Sequence, residues 1–295
     1  MTLRRTPAGL TSLHLFFKVD VVVYCEGGNS IPEAAVAQGA GNEETLDSLF
    51  WRRISQFVGA IRTYHFKSVG SKVTLASIAQ DVQSLQIASI IVCLDRDYDW
   101  HCSKQITLAH VVYTYGYSWE NDVSNNIALE RVFFRFVARS SRNERLFEVG
   151  QKTIARFAKE VAVWCQAEIS LHGKSAELVF PRNKPLAMIQ VGTDGLPELC
   201  IARLKQRLHS LGYERKPHMR IRISHSESLR HSWGKLVAHY FYHLAIKLAN
   251  KCDTDIRLTC DAFMRLLMAD MMEGMKEGAL PELASYYRGL STIFR

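Results

Sequence analysis

The chain has 295 residues, of which 47% are hydrophobic and 22% are charged, a balance typical of a soluble globular protein with about two domains. The formal net charge of +8 favours an anionic partner such as nucleic acid. The seven cysteines form no Cys-x-x-Cys pair, which leaves zinc-ribbon and thioredoxin-like sites without support, and no stretch is apolar enough to span a membrane.

The first residues do not have the pattern of a secretion signal. The apolar part of residues 1–20 is short and is interrupted by Lys18 and Asp20. We therefore expect a cytoplasmic protein in which several of the scattered cysteines are buried thiols.

Short apolar runs alternate with amphipathic segments in the first part of the chain. After a lead-in strand or loop, residues 21–25 predict a buried strand that ends at Glu26 and enters a glycine turn at Gly27 and Gly28. The elements predicted after it are a loop at 29–42, helices at 43–60 and 73–85, and strands at 63–69, 88–94 and 111–114. This order of strands and helices predicts an α/β unit with a parallel sheet.

Beyond Trp119 the pattern changes to helices. They are predicted at 126–139, 151–169, 197–211, 231–250 and 255–277, with Asp255 as the cap of the last one and a hairpin of strands at 176–180 and 186–191. We expect a mostly parallel sheet flanked by helices in residues 1–145, followed by a mainly α-helical domain in residues 146–295.

Carboxylates follow two of the predicted strands directly. Glu26 ends the first strand, and Asp95 and Asp97 follow the strand at 88–94. Strands that are apolar on both faces belong to parallel sheets, which bind ligands at the carboxyl ends of their strands. Three carboxylates gathered there repel each other unless a cation neutralises them, and Mg²⁺ prefers such hard oxygen ligands.

A glutamate after the first strand and an Asp-x-Asp pair after a later one resemble the Toprim domain of topoisomerases, primases and OLD-type nucleases. The resemblance covers roughly residues 20–125. Within it, residues 66–72, 93–99 and 117–122 are similar to the Toprim-like effectors of bacterial anti-phage defence, the AriB type of PARIS systems.

The resemblance implies a Mg²⁺-dependent nuclease, with Mn²⁺ as the substitute metal. Glu26 would be a metal ligand or the general acid/base, and Asp95 and Asp97 would hold the metal. Asp99 and Glu120 are further ligand candidates, although Glu120 is equally suited to capping a helix with Asn121. Two basic residues are candidates for phosphate contacts, with a merely structural role as the alternative: Lys72 and Arg96.

The resemblance also implies a biological setting. The expected activity is endoribonuclease cleavage, with tRNA as the favoured substrate, by a toxic effector of abortive infection. An AriA-like ABC-type ATPase would hold the effector inactive until a phage trigger protein is sensed, and release would allow a homodimer to form. The alternatives are a catalytically silent binding subunit of the ATPase complex and a DNA nuclease of the OLD type.

Other metal sites are less well supported by the sequence. Asp95, Asp97 and Asp99 imitate the start of an EF-hand loop, but Trp100 stands where that loop needs glycine. A haloacid-dehalogenase-type phosphatase would place its Asp-x-Asp after the first strand. His239 and His243 are four residues apart on a predicted helix but lack the glutamate of the His-Glu-x-x-His motif, which favours a packing role.

Basic and aromatic residues offer further contacts for a nucleic acid. The basic clusters lie at 203–207, 215–216 and 220–222, where solvated helix faces are the alternative. Tyr113, Tyr115 and Tyr117 alternate and suit either base stacking or core packing. The stripe of methionines at positions 264–275 predicts helix packing or a subunit interface.

Overall fold

The computed structural model describes residues 7–28, 31, 41–42, 44–172, 178–182, 184–213 and 222–295. The chain divides into two compact units. Unit 1 comprises Met1–Arg96, Lys104–Tyr115 and Met275–Arg295, and unit 2 comprises Asp97–Ser103 and Gly116–Gly274. Most of the loop predicted at 29–42 lies outside the described residues.

The helices and strands of the described residues are numbered in chain order. The α-helices are α1 (Pro7–Phe17), α2 (Leu46–Phe57), α3 (Lys72–Ser84), α4 (Asp99–Cys102), α5 (Trp119–Val123), α6 (Asn126–Phe136), α7 (Ser141–Leu171), α8 (Ile201–Ser210), α9 (Ser228–His231), α10 (Gly234–Asn250), α11 (Cys260–Lys276), α12 (Pro281–Arg288) and α13 (Ser291–Phe294). The strands are β1 (Val21–Cys25), β2 (Tyr64–Ser68), β3 (Ile90–Leu94), β4 (Val111–Tyr113), β5 (Ile189–Val191) and β6 (Pro197–Leu199).

Unit 1 is built on a four-stranded sheet in the order β2-β1-β3-β4, and every neighbouring pair is parallel. All residues of β1 and β3 are buried, as expected for central strands that are covered on both faces. On one face, Val22 and Tyr24 share a core with α1 and α3, and α2 contacts β1 and β2. The predicted parallel sheet flanked by helices is confirmed.

The prediction of a lead-in strand or loop before Val21 is wrong. Residues 7–17 form α1, and Leu10 and Leu13 of this helix are buried in the same core as Val22. Their spacing of three residues puts both side chains on one helix face, which gives this segment an apolar surface to bury against the sheet.

The end of the chain returns to unit 1. Tyr287 on α12 is fully buried, and its ring meets those of Phe50 and Trp51 at centroid distances of 5.9 and 6.3 Å. The hydroxyl of Tyr286 donates to the carbonyl oxygen of Tyr113 at 2.8 Å, and that of Tyr64 donates to the carbonyl oxygen of Phe294. The last helices thus complete the sheet unit, although the sequence assigned them to a helical domain.

Unit 2 is mainly helical, and its longest element is the 31-residue helix α7. The boundary predicted between residues 145 and 146 lies inside this helix, whereas the compact units change at other positions. The apolar stripe predicted for 151–169 is confirmed, because Phe157, Val161 and Cys165 are all buried along α7.

The predicted hairpin is wrong in its pairing. β5 pairs antiparallel with β6, residues 178–180 are not a strand, and residues 176–177 lie outside the described part of the chain. The tight turn between the strands explains this pairing, since Gly195 has a φ of +77° and the N–H of Gly192 donates to the carbonyl oxygen of Leu196 at 2.8 Å. The helix predicted from Pro197 accordingly starts at Ile201.

Asp255 is not the cap of the last long helix, which begins at Cys260. The hydroxyl of Thr259 accepts the N–H of Ala262 at 3.2 Å, as an N-cap residue does. Asp255 instead accepts a hydrogen bond from Arg257 Nε at 2.8 Å.

The remaining predictions concern the methionines, the cysteines and a possible membrane crossing. The methionines of α11 are all buried, which confirms their packing role: Met264, Met268, Met271, Met272 and Met275. All seven cysteines are free thiols. None of the helices in the described ranges combines the length and hydropathy that a membrane crossing requires.

Candidate functional site

Glu26 and Asp95 meet at the carboxyl edge of the sheet in unit 1. The backbone N–H of Glu26 donates to the carbonyl oxygen of Cys93 at 3.3 Å, which continues the pairing of β1 with β3. The backbone N–H of Asp95 donates to Glu26 Oε2 at 2.7 Å. The carboxylate of Glu26 therefore lies at the end of the neighbouring strand, next to the residue that the sequence proposed as its partner.

A glycine turn brings a further carboxylate to this edge. Gly27 and Gly28 have φ values of +113° and +73°, which side-chain-bearing residues rarely adopt. A Cβ atom at Gly27 would overlap the carboxyl group of Asp47. Asp47 lies in the first turn of α2, so the bare backbone of Gly27 is what allows the turn to approach this helix so closely.

Asp47 was not among the residues predicted for the site. It is held there because Thr45 caps α2: the Thr45 hydroxyl accepts the N–H of Ser48 at 3.0 Å, and Ser48 Oγ accepts the N–H of Thr45 at 3.0 Å. The sequence carries a signal for this cap, a threonine at the start of a predicted amphipathic helix. No local pattern indicates that the first turn of this helix lies next to the glycine turn that follows β1.

Hydroxyl and thiol groups connect the cap to the sheet. The hydroxyl oxygens of Thr45 and Ser68 are 2.6 Å apart, and Cys25 Sγ lies 3.4 Å from Ser68 Oγ. These three residues come from the start of α2 and from the last residues of β2 and β1. Their contacts fix the position of the helix relative to the strand that ends at Glu26.

The pKa of the Cys25 thiol responds to the negative charges at this edge. Burial raises the pKa of the Cys25 thiol well above its usual value, and the nearby carboxylates of Asp47, Asp95 and Glu26 raise it further. All three carboxylates thus act on one buried atom of unit 1. The negative charge of these carboxylates would attract a cation.

A lysine places a positive charge at the same edge. Lys72 is the first residue of α3, and its Nζ donates to the carbonyl oxygen of Asp95 at 2.8 Å. Arg96, the other predicted phosphate contact, is only 6% exposed, and its guanidinium lies 5.3 Å from the ring centroid of Tyr286. Packing thus offers a structural role for Arg96, whereas Lys72 stays beside the acidic residues.

Asp97 belongs to unit 2, where its backbone is strained. Its φ of +48° is in the left-handed region, and its N–H donates to the carbonyl oxygen of Tyr117 at 2.7 Å. Tyr98, the next residue, is completely buried. Asp99 lies in the first turn of the short helix α4.

Glu120 lies at the start of two helices of unit 2. Ser118 and Asn121 form the capping box of α5, so the predicted capping partner Asn121 acts with Ser118. A Cβ atom at Gly234, the first residue of α10, would lie 3.2 Å from Glu120 Oε2. Burial raises the pKa of Glu120, and Lys235 opposes this shift. Glu120 lies in the first turn of α5, where a carboxylate is favourable, but the capping box itself consists of Ser118 and Asn121.

Within the described residues, no three His, Cys, Asp or Glu side chains are grouped as ligands of one metal ion. His239 and His243, the other candidate pair, both lie on α10, and burial lowers the pKa of each. Mg²⁺ is usually held by one or two protein carboxylates together with waters and substrate phosphates, so the pair Glu26 and Asp95 fits its donor requirements.

The basic and aromatic residues proposed for nucleic-acid contact are partly engaged in the fold. Arg203 donates to the carbonyl oxygen of Ala187 at 2.8 Å. The cluster at 215–216 and residues 220–221 of the cluster at 220–222 lie outside the described residues. The hydroxyl of Tyr113 accepts the N–H of Ile106 at 2.7 Å, and Tyr117 is buried. Core packing therefore accounts for these two tyrosines.

No protein-family model matches the chain, and no curated protein matches its sequence. The residues quoted above and their arrangement at the sheet edge are therefore the basis for a function.

Proposed function

We propose that the chain is a Mg²⁺-dependent nuclease of the Toprim type. The observation that carries the proposal is the hydrogen bond from the Asp95 N–H to Glu26 Oε2, 2.7 Å long, at the carboxyl edge of a parallel sheet. Ligands of open α/β sheets bind at this edge, and phosphoryl-transfer sites need hard oxygen ligands for their metal.

Glu26 and Asp95 of unit 1 would hold the metal. The resemblance adds Asp97, Asp99 and Glu120 as ligand candidates. When bound, Mg²⁺ or Mn²⁺ polarises a phosphoryl oxygen and stabilises the leaving oxygen. The donor set supports this assignment because the Glu26 carboxylate lies at the backbone of Asp95, and Mg²⁺ commonly takes one or two carboxylates from a protein.

The chain's own residues would orient the substrate and move the proton. Glu26 is fixed by the Asp95 N–H, so one of its oxygens keeps a defined direction for a general acid/base role. Lys72 places its ammonium group at the carbonyl of Asp95, where it can bind a phosphate oxygen. The net charge of +8 supports an anionic substrate.

The biological part of the proposal depends on the resemblance to AriB-type effectors. The substrate would be tRNA, and the activity would be a toxic step in anti-phage defence. An AriA-like ATPase would hold the protein inactive until a phage protein is sensed, after which the released subunit would form a homodimer.

The test is incubation of the purified chain with total tRNA and with plasmid DNA, each with Mg²⁺ and with EDTA. We expect discrete tRNA fragments that require Mg²⁺. Glu26→Gln keeps the shape of the side chain but removes its charge, and should slow cleavage by at least about 100-fold. The matched control is Glu148→Gln, an exposed glutamate on α7, which should cleave like the wild type.

The other outcomes separate the alternatives. Mg²⁺-dependent nicking of DNA without tRNA fragments would indicate a DNA nuclease of the OLD type. A folded protein that cleaves neither nucleic acid would contradict the nuclease proposal and favour a silent binding subunit. Full activity of Glu26→Gln would remove Glu26 from the site.

A further inference from the structure

The backbone of Asp97 needs support from the residues around it. The left-handed region is unfavourable for residues with a side chain, although aspartate tolerates it better than most, and Asp97 has a φ of +48°. Its N–H donates to the carbonyl oxygen of Tyr117 at 2.7 Å. Contacts that hold Tyr117, and Tyr98 as the residue after Asp97, therefore also hold the backbone of Asp97 in place.

The two tyrosines pack against each other in the core of unit 2. Their ring centroids are 4.8 Å apart at an interplanar angle of 67°, an edge-to-face contact. The ring of Tyr98 also meets that of His172 at 5.5 Å, at the end of α7. Tyr98 thus anchors the peptide of Asp97 from one side, and Tyr117 accepts its hydrogen bond from the other.

An arginine lies against both tyrosines. The guanidinium carbon of Arg182 is 5.8 Å from the ring centroid of Tyr98, 5.6 Å from that of Tyr117 and 5.2 Å from that of Trp233. These distances are in the range of cation–π attraction. The cation therefore contacts three rings. Tyr98 follows Asp97 in the sequence, and the backbone of Tyr117 accepts the hydrogen bond of the Asp97 N–H.

A buried carboxylate fixes this arginine. Glu168 on α7 has no exposed surface, and its Oε1 accepts a hydrogen bond from Arg182 Nη2 at 2.7 Å. Its Oε2 accepts the N–H of Phe180 at 3.0 Å. Both oxygens have a defined donor, so a fixed side chain of α7 holds the guanidinium.

We propose that Arg182 is a positioning residue, which with Glu168 holds Tyr98 and Tyr117 and so fixes the backbone of Asp97. All residues of this arrangement belong to unit 2. Its consequence for metal affinity rests on the proposed function, since it requires Asp97 to be a ligand. Partners that orient a ligand typically change metal affinity by about 10–100-fold when they are removed.

The test uses the full chain and removes both charges, because a single substitution would leave the other charge buried and unpaired. The variant is Arg182→Met with Glu168→Gln. Hydrogen–deuterium exchange of the peptide that contains Asp97 is measured without metal. We expect exchange of the Asp97 amide to become at least about tenfold faster, the equivalent of 1.4 kcal/mol less protection.

The matched control is Arg257→Met, which removes an arginine whose ion pair with Asp255 is exposed, at 89% and 68% for the two side chains. It should leave exchange at Asp97 unchanged. If the double variant does not fold, Arg182→Lys takes its place, since it keeps the charge but loses the planar ion. Faster exchange at Asp97 in that variant supports the inference, and wild-type exchange overturns it.

Titration with Mn²⁺ alone, followed by electron paramagnetic resonance, separates this inference from the proposed function. We expect the wild type to bind Mn²⁺ and the double variant to bind it about tenfold more weakly. A wild type that binds no Mn²⁺, with exchange at Asp97 still accelerated in the variant, contradicts the metal site and leaves the inference standing. Unchanged exchange overturns the inference whatever the metal does.

Discussion

The acidic edge of unit 1 and the support of Asp97 in unit 2 are built in different ways. At the edge, Glu26 and Asp95 each follow a central strand directly, so two short segments and one sheet register bring them together. The support of Asp97 draws Tyr117, Glu168 and Arg182 from separate parts of the chain. A site at strand ends can be predicted from local patterns, whereas a site made by side-chain packing needs the fold.

The largest expected effect tests whether the edge depends only on local segments. Tyr287 comes from the end of the chain, is fully buried, and contacts Phe50 and Trp51 in α2. Tyr287→Ala should lower the free energy of unfolding by about 3–5 kcal/mol, because it leaves a large cavity. The measurement is urea denaturation, with Phe16→Ala, a half-exposed ring in α1, as the control. A loss below about 1 kcal/mol would show that the last helices are dispensable for unit 1.

The second prediction concerns the glycine turn that carries Glu26. Gly27→Ala should destabilise the protein by about 2–4 kcal/mol, from the positive φ and from the overlap with Asp47. Gly59→Ala is the matched control: its φ is +74°, but a Cβ atom there would meet nothing within 4 Å. The difference in unfolding free energy between the two variants measures the contact with Asp47. Equal losses would mean that Asp47 moves away at little cost.

The sequence predicted the parallel sheet and the positions of Glu26 and Asp95 at the ends of its central strands. These features have local causes: central strands are apolar on both faces, and each carboxylate is adjacent to such a strand. Asp47 was missed because only the approach of α2 to Gly27 brings it to the edge. Arg182 was missed because its partners Glu168 and Trp233 are far away in the chain, and no spacing relates them.

The third prediction tests the buried pair of unit 2 through its pH dependence. Burial raises the pKa of Glu168 from 4.5 to about 7, although Arg182 and Arg207 oppose the shift. Between these two pH values the folded protein therefore binds one proton more than the unfolded chain. The contribution of Glu168 to the free energy of unfolding is then fully present below pH 4.5 and is lost as the pH rises to about 7.

Glu168→Gln cannot titrate and should remove this slope. We expect the loss of stability between pH 5 and pH 8 to be smaller in the variant than in the wild type, by on the order of 2 kcal/mol. Urea denaturation at both pH values provides the measurement. Equal slopes in the two proteins would contradict a raised pKa and would indicate that the ion pair with Arg182 keeps Glu168 ionised.

The smallest effect concerns a cap that the sequence placed four residues too early. Thr259 accepts the N–H of Ala262 at the start of α11, whereas Asp255 pairs with the exposed Arg257. Thr259→Ala should cost about 1 kcal/mol, because it removes a partner from one of the first amide groups of the helix. Asp255→Ala should change the free energy of unfolding by less than about 0.5 kcal/mol, since exposed ion pairs contribute little. The reverse order would mean that α11 starts earlier in solution and that the local sequence signal was sufficient. The expected order would show that the start of α11 depends on the side chain that accepts a hydrogen bond from its first amide groups. Even this most local feature would then require the folded structure.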